Sequence, residues 1–295
     1  MRVFLTGATG FIGSAIVPEL INAGHQVLGL ARSDAGAEAL AAAGAQVHRG
    51  TLEDPESLRR GAAKADGVIH CAFDHNFSNF VANCEKDTRA IEAMGDALVG
   101  SDRPLIITSG TGMGTAAPGV LATEDVVNLH HPNPRVASEA AGISVAERGV
   151  NVSVVRLPQV HDPVKQGLIS YAVAVAREKG VSPYIGEGLN RWPAVHVLDA
   201  ARLYRLALEK GESASRYHAV AEEGVPVRQI AEVIGRGLKV PVVSLTAEQA
   251  PAHFGWLAMF AGYDMPASSA QTQAKLGWKP TGPGLIADLE QMRYS

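Results

Sequence analysis

The sequence predicts an α/β protein built on a doubly wound parallel sheet, with a smaller C-terminal lobe. Three observations carry that expectation. Short apolar runs alternate with longer helical patterns through the first two thirds of the 295 residues. A glycine-rich stretch, TGATGFIG, follows the first apolar run and opens the first helical pattern. From about residue 160 the alternation breaks up, with more proline and glycine.

Six runs read as strands: VFLTG (3–7), QVLGLA (26–31), QVHRG (46–50), GVIHCA (67–72), PLIITSG (104–110) and NVSVVRL (151–157). Each is short, apolar and bounded by turn residues, as strands buried on both faces are. Between them, residues 12–24, 35–44, 54–65 and 87–100 have helical composition and end near glycine or a small-residue turn. Strands alternating with helices imply parallel pairing through crossovers. Pro18 conflicts with the first helix, because proline removes a backbone bond and crowds the carbonyl four residues back; a tolerated kink is expected. Beyond residue 160, QGLISYAVAVAREKG and LDAARLYRLALEKG read as helices of a lobe laid over the sheet's C-terminal edge.

Composition excludes several classes. Hydrophobic residues make up 46% and charged residues 19%. No apolar run approaches the roughly 18 residues that a membrane span needs, so no membrane partner is expected. The opening MRVFLTGATG gives way at once to glycines and reads as a first strand, not a signal region. A net charge of −4 without a basic cluster disfavours nucleic acid. Cys71 and Cys84 are the only cysteines and lack C-x-x-C spacing, which fits two isolated thiols in a reducing cytoplasm. His130 and His131 have no metal-ligand spacing with other residues, so no metal is expected.

Gly7, Gly10 and Gly13 stand at G-x-x-G-x-x-G spacing between a strand and a helix. A tight turn and close backbone approach exclude side chains there, while the helix N-terminus offers unpaired N–H groups to a pyrophosphate. The motif therefore predicts a dinucleotide site including Gly7, Thr9, Gly10, Phe11 and Ile12. The second strand ends in Ala31-Arg32-Ser33 where an NAD-selective site would place a carboxylate on the ribose 2′-hydroxyl. Arg32 and Ser33 suit a 2′-phosphate, so NADP(H) is preferred and NAD(H) is the alternative; Arg32 as a solvated loop charge is the simpler reading.

The ordered series of motifs resembles an extended or atypical short-chain dehydrogenase/reductase of the NAD-dependent epimerase/dehydratase family, nearly from end to end. TGATGFIG is similar to the cofactor loop, GVIHCAF to the fourth strand passing the cofactor, and LIITSG to the fifth strand with its active-site hydroxyl. VVRLPQVHDP, RWPAVHVLDAARLYRLAL and SSAQTQAKLGWKP resemble the family's sixth strand, substrate-lobe and C-terminal segments. The resemblance implies a Rossmann-type fold, and Leu52, Cys71, Ala72, Phe73, Thr108 and Pro158 as further cofactor contacts. Residues 1–160 would form the NADP-binding Rossmann domain, its core continued by parts of 190–220, with 161–295 mainly a substrate-binding lobe.

Two departures stand out. Thr51 occupies the place of an aspartate beside the adenine, leaving recognition there to Leu52 and backbone groups. More seriously, the family's Pro-Tyr-Gly-x-Ser-Lys aligns with Pro134 to Glu139, putting Arg135 at the tyrosine and Glu139 at the lysine. None of Tyr171, Tyr184, Tyr204, Tyr217, Tyr263 or Tyr294 has a lysine four residues on. A proton relay through a phenol acidified by a neighbouring ammonium is therefore not carried over.

Other groups remain for chemistry. Ser109, at the carboxyl end of the fifth strand, is expected to hydrogen-bond a carbonyl oxygen, with Thr108 and Thr111 as further hydroxyls. Arg135 either stabilises negative charge electrostatically or pairs with Glu139 one helical turn later. A guanidinium does not give up its proton at ordinary pH, so His75 is the preferred acid, directly or through water. His161, Tyr171 and Trp192, with Thr111, are expected to line the substrate pocket. Asp199 is expected to cap or orient the lobe. The segment 253–268, rich in Phe, Trp and Met, reads as a lid, a homodimer contact or ordinary core.

The function expected is NADP(H)-dependent reduction of a small or medium apolar aldehyde or ketone. A catalytically silent dinucleotide-binding module, and a nicotinamide-dependent isomerase or dehydratase, are the alternatives.

Overall fold

A computed structural model of the chain describes residues 1–294. The six strands expected from the sequence form as β1 (Arg2–Thr6), β2 (Gln26–Ala31), β3 (Gln46–Arg49), β4 (Gly67–His70), β5 (Pro104–Gly110) and β6 (Asn151–Leu157). A seventh, β10 (Arg216–His218), joins the sheet after three strands of the lobe have been made. The order is β10-β6-β5-β4-β1-β2-β3, and every pairing is parallel.

Alternation along the strands divides the core between the two faces. Val3 and Leu5 belong to one buried cluster and Phe4 to the other. On the first face lie α1 (Gly13–Asn22), α2 (Asp34–Ala42) and α7 (Val197–Lys210), through Ile16, Leu20, Leu40, Leu203 and Tyr204. On the second lie α3 (Pro55–Ala63), α4 (Phe80–Asp96) and α5 (Val136–Glu147), through Leu58, Ile91, Met94, Ala141 and Val145. The α/β doubly wound fold expected from the sequence is the one observed.

Two local expectations are refined. Helix α1 runs on through Pro18, which lies on the exposed face with Ser14, so the carbonyl freed of its partner faces water. Helix α4 begins at Phe80, seven residues before the expected start at Asp87. Asp87 reads as a helix start because acidic residues favour first turns. Instead it lies within the helix, on the buried face shared with Ala90, Ile91 and Met94.

The lobe is held by short sheets. Strands β7 (Gln159–His161), β9 (Arg191–His196) and β11 (Glu222–Pro226) form one, and β8 (Ser182–Ile185) with β12 (Val242–Leu245) form another. Helices α6 (Ile169–Lys179), α8 (Val227–Leu238) and α12 (Leu285–Gln291) pack round them, burying Val173, Trp192, Ile230 and Leu289. Shorter helices α9 (Ala250–Phe254), α10 (Ala258–Ala261) and α11 (Ala270–Leu276) complete the chain. Asp199 orients this tail, accepting backbone N–H bonds from Thr281 at 3.0 Å and Gly282 at 2.7 Å. No helix among the described residues is long and apolar enough to cross a membrane.

Candidate active site and dinucleotide cleft

A cleft of about 1130 Å³ runs along the carboxyl edge of the central sheet. It opens between β1 and β4, where the strand order reverses and open α/β sheets take their ligands. Gly7 has φ +70°, and a Cβ there would lie 2.7 Å from the Ala72 nitrogen. A Cβ on Gly13 would lie 2.0 Å from the Gly7 oxygen. These two positions let the loop turn tightly against β4 and bring α1 close beneath it. The Phe11 and Ile12 backbone N–H groups have no acceptor among the described residues. A cradle of free N–H groups that side chains would fill suits the pyrophosphate of a dinucleotide.

Thr9, Gly10, Phe11, Ile12, Arg32, Leu52, Cys71, Ala72, Phe73, Thr108 and Pro158 all line this cleft. Arg32 is exposed and forms no salt bridge among the described residues, whereas nearby Asp34 is engaged by Arg49. Ser33 is different. Its hydroxyl caps α2 by accepting the Gly36 N–H at 3.2 Å, and the residue is absent from the cleft wall. Lys165, not singled out by the sequence reading, also reaches the cleft, 5.6 Å above the Phe11 ring.

At the other end, Arg135 lies at the start of α5 with its guanidinium 4.0 Å from the Phe73 ring centroid. Of the two alternatives for Arg135, the pair with Glu139 does not form. Arg135 donates to Asp87 Oδ2 at 2.6 Å and to the Thr108 carbonyl at 3.0 Å, and also contacts Ser138. Asp87 in turn accepts from Ser138 at 2.6 Å and meets His70 Nε2 at 3.0 Å, while His70 Nδ1 lies 2.7 Å from the Thr6 hydroxyl. Burial alone would raise the Asp87 pKa, but Arg135 and His70 outweigh it and hold the group well below the usual carboxylate range. Arg135 is thus a cation with its counter-charge built in.

Glu139 points to the opposite side of α5. It takes a bidentate pair from fully buried Arg156 at 2.7 and 2.8 Å, and Arg216 reaches it at 3.3 Å. His218 extends this network, its Nε2 lying 3.2 Å from Arg156 and its Nδ1 2.8 Å from the Ser268 carbonyl. Burial, with the Arg156 charge behind it, lowers the His218 pKa to about 4. An i, i+4 pair assumes both side chains share a helix face exposed to water. Here tertiary partners of opposite charge draw the two residues apart.

The hydroxyls divide similarly. Thr108 is occupied, donating to the His70 carbonyl at 2.7 Å and pairing with the Tyr204 hydroxyl at 2.6 Å. Ser109 borders the cleft, but its Oγ is buried and turned toward α5, where the hydroxyl helps to hold the Glu139 pKa down. Thr111 lines it too, in the turn that follows β5. The Cys71 thiol is pushed up to about 11 by burial, so it is not a reactive thiolate. His75 stands at the mouth of the cleft. Desolvation by the crowded walls, and then the Arg135 charge, lower its pKa, which disfavours the imidazolium form.

Of the expected substrate contacts, Tyr171 reaches the cleft and His161 and Trp192 do not. His161 is fully buried, 2.6 Å from Asp288 of α12, whose carboxylate holds the ring away from the cleft. Trp192 is turned into the lobe's core, because alternation along β9 gives the cleft its neighbour Pro193 instead. Phe77, which had no expected role, joins Tyr171 in the cleft wall, and Trp256 backs both rings from behind it. Phe77 stacks on Trp256 at 4.1 Å and 11°, and Tyr171 meets Trp256 edge-on at 5.0 Å. Phe80, Met113, Phe260 and Met265 extend the same wall. The 253–268 segment is divided: Met259, Phe260, Tyr263 and Met265 line the cleft, while Phe254, Leu257 and Ala261 are buried core. No cluster of residues suited to a metal ion occurs among the described residues.

The fold and glycine cradle are those of the dinucleotide-binding class of α/β proteins, with the cleft continuing beyond the cradle. The model of the NAD dependent epimerase/dehydratase family matches residues 3–220, and the chain belongs to that family. It is 49% identical over its whole length to an uncharacterized protein of Schizosaccharomyces pombe, all of which is covered. It is 43% identical, over 98% of each chain, to an uncharacterized protein of Saccharomyces cerevisiae. More distantly, it is similar to a 2-alkyl-3-oxoalkanoate reductase of Stenotrophomonas maltophilia, with 26% identity over 71% of this chain and 66% of that one. Among solved structures, a UDP-glucose 4-epimerase of Thermotoga maritima superposes with a TM-score of 0.77 at 20% identity, covering 99% of this chain and 97% of that one. That likeness concerns the fold. Family membership makes the protein kin to nicotinamide-dependent oxidoreductases and epimerases.

Proposed function

We propose that the protein is an NADP(H)-dependent reductase acting on the carbonyl group of an apolar, ring-bearing aldehyde or ketone. The observation that carries this reading is one continuous cleft joining the glycine cradle and unpaired Arg32 to a chamber walled by aromatic and methionine side chains. In this reading Gly7, Gly10, Phe11 and Ile12 hold the pyrophosphate, and Arg32 takes the 2′-phosphate through charge-assisted bonds. The bound cofactor would supply hydride.

The chain's own contribution is orientation and electrostatics. Thr111 offers a hydroxyl to the oxygen that gains negative charge, and Arg135 adds a fixed positive potential. Its pairing with Asp87 removes the net charge, which favours a neutral carbonyl compound over a carboxylate. His75, at the solvent mouth, relays the final proton from water. The rings of Phe77, Tyr171 and Phe260 accept a planar or apolar body.

NADPH oxidation across a panel of aliphatic and aromatic aldehydes and ketones tests the reaction, with turnover of ring-bearing members expected. No turnover with any member would overturn it. Arg32→Ala should weaken NADPH binding about tenfold, the size of one lost charge-assisted bond, and leave NADH nearly unchanged in a fluorescence titration. Equal losses for both cofactors would remove the 2′-phosphate assignment.

A further inference from the structure

Two adjacent histidines in the loop before α5 have different surroundings. His130 is exposed and absent from the cleft wall, whereas His131 lines the cleft and is half-buried. The His131 ring is held by a directional contact: Nδ1 accepts the backbone N–H of Asn133 at 3.1 Å. A backbone amide only donates, so Nδ1 must carry a lone pair and the proton must reside on Nε2. Among the described residues the ring's one hydrogen bond is at Nδ1, and Nε2 makes none. It lies over the turn that carries Thr111 and Gly112, 3.8 Å from where a Cβ on Gly112 would stand.

The loop cannot easily swing away. The His131 backbone N–H bonds the Asn128 carbonyl at 3.2 Å. Asn128 is tied to the Met113 carbonyl at 3.1 Å and, through its side chain, to the Thr115 carbonyl at 3.2 Å. Asn133 also accepts the Arg135 N–H at 2.9 Å, so one residue fixes both the ring and the start of α5. Burial lowers the His131 pKa, in keeping with a neutral ring.

We propose that His131 is the hydrogen-bond donor of the substrate subsite, its Nε2–H binding the carbonyl oxygen of the ligand. This rests on the carbonyl-reductase reading above and deepens it. His131 and Thr111 share the cleft wall beyond the end of β5, where the Nε2–H would meet an acceptor oxygen. A neutral donor polarises a carbonyl without first having to lose a proton to the cofactor's surroundings or to solvent. It supplies the polarisation that a phenol would otherwise give, from a position four residues before Arg135.

The ring state is read without turnover. Nitrogen-15 NMR of the NADP⁺-bound protein at pH 7, with the resonances assigned against His131→Gln, should show a neutral His131 protonated on Nε2. A proton on Nδ1, or an imidazolium, overturns the proposal. With a ketone from the panel that the wild-type protein reduces, His131→Phe should lower kcat about 100-fold, within the range for loss of one positioned donor. His131→Gln, which keeps an N–H donor but cannot titrate, should recover at least a tenth of the wild-type rate. A purely structural role would favour Phe, which keeps the ring, over Gln. NADPH affinity should be unchanged in both. Turnover that survives His131→Phe sinks this proposal and leaves the reductase reading standing. Absence of wild-type turnover sinks the reductase reading first and the ligand assigned to His131 with it.

Discussion

The two ends of the cleft are built on different physical principles. The nucleotide end is made of backbone: glycines without side chains, free N–H groups and a helix N-terminus. The far end is made of side chains, with Arg135, Asp87, His70 and Thr6 on one side of α5 and Glu139, Arg156, Arg216 and His218 on the other. A backbone cradle fails when volume is added. A buried polar network fails when one partner is removed or its charge is changed.

The sharpest way to break the first end is Gly13→Val. Its Cβ would fall 2.0 Å from the Gly7 oxygen, a backbone atom that cannot give way. Dinucleotide binding should drop at least 100-fold, on the order of 3 kcal/mol, in a fluorescence titration, while circular dichroism still reports a folded chain. Binding within threefold of wild type would mean that α1 can retreat from the loop.

Asp87→Ala tests the second end. It strands Arg135 beside an apolar ring, and breaking such a buried pair costs about 3–5 kcal/mol. Urea denaturation should show that loss, with the glycine loop's nucleotide affinity little altered at low denaturant. A loss under 1 kcal/mol, on the scale of a surface ion pair, would show that Arg135 finds another partner.

A smaller effect separates the ends by pH. The His218 pKa is lowered to about 4 in the folded state, against about 6.5 unfolded. Between those values the unfolded chain binds more protons, so stability is fully present above pH ~6.5 and falls as pH drops toward 4. Urea midpoints at pH 7 and pH 5 should differ more for the wild type than for His218→Gln. Equal differences would exclude His218 as a source of the acid sensitivity. The glycine cradle contains no titrating group and should contribute nothing to that change.

The strands show why one end was legible and the other was not. β1 to β6 follow from short apolar runs, and the cradle follows from three glycines between a strand and a helix, all within a few residues of one another. Arg135 and Glu139 are equally visible as residue types, yet their partners are not. Asp87 could have been suspected, as a charge on the apolar stripe of α4, but only with the helix start placed seven residues earlier. His131 is not legible in the sequence, because the amide two residues on that fixes its ring leaves no mark in residue spacing. Trp192 misled because strand alternation in the lobe was not legible from its short, proline-broken segments.

The sequence by itself determined the doubly wound sheet, its turns and the dinucleotide loop, because periodicity, glycine geometry and chain reversal act between near neighbours. Tertiary structure alone decided which polar side chains face the cleft. Arg135 is paired by a residue 48 positions away and His161 by one 127 positions away. A buried charge must find its counter-charge wherever the fold brings one. That requirement turned Glu139 and His161 inward, drew the Ser109 hydroxyl after Glu139, and left Thr111 and His131 on the cleft wall beyond β5.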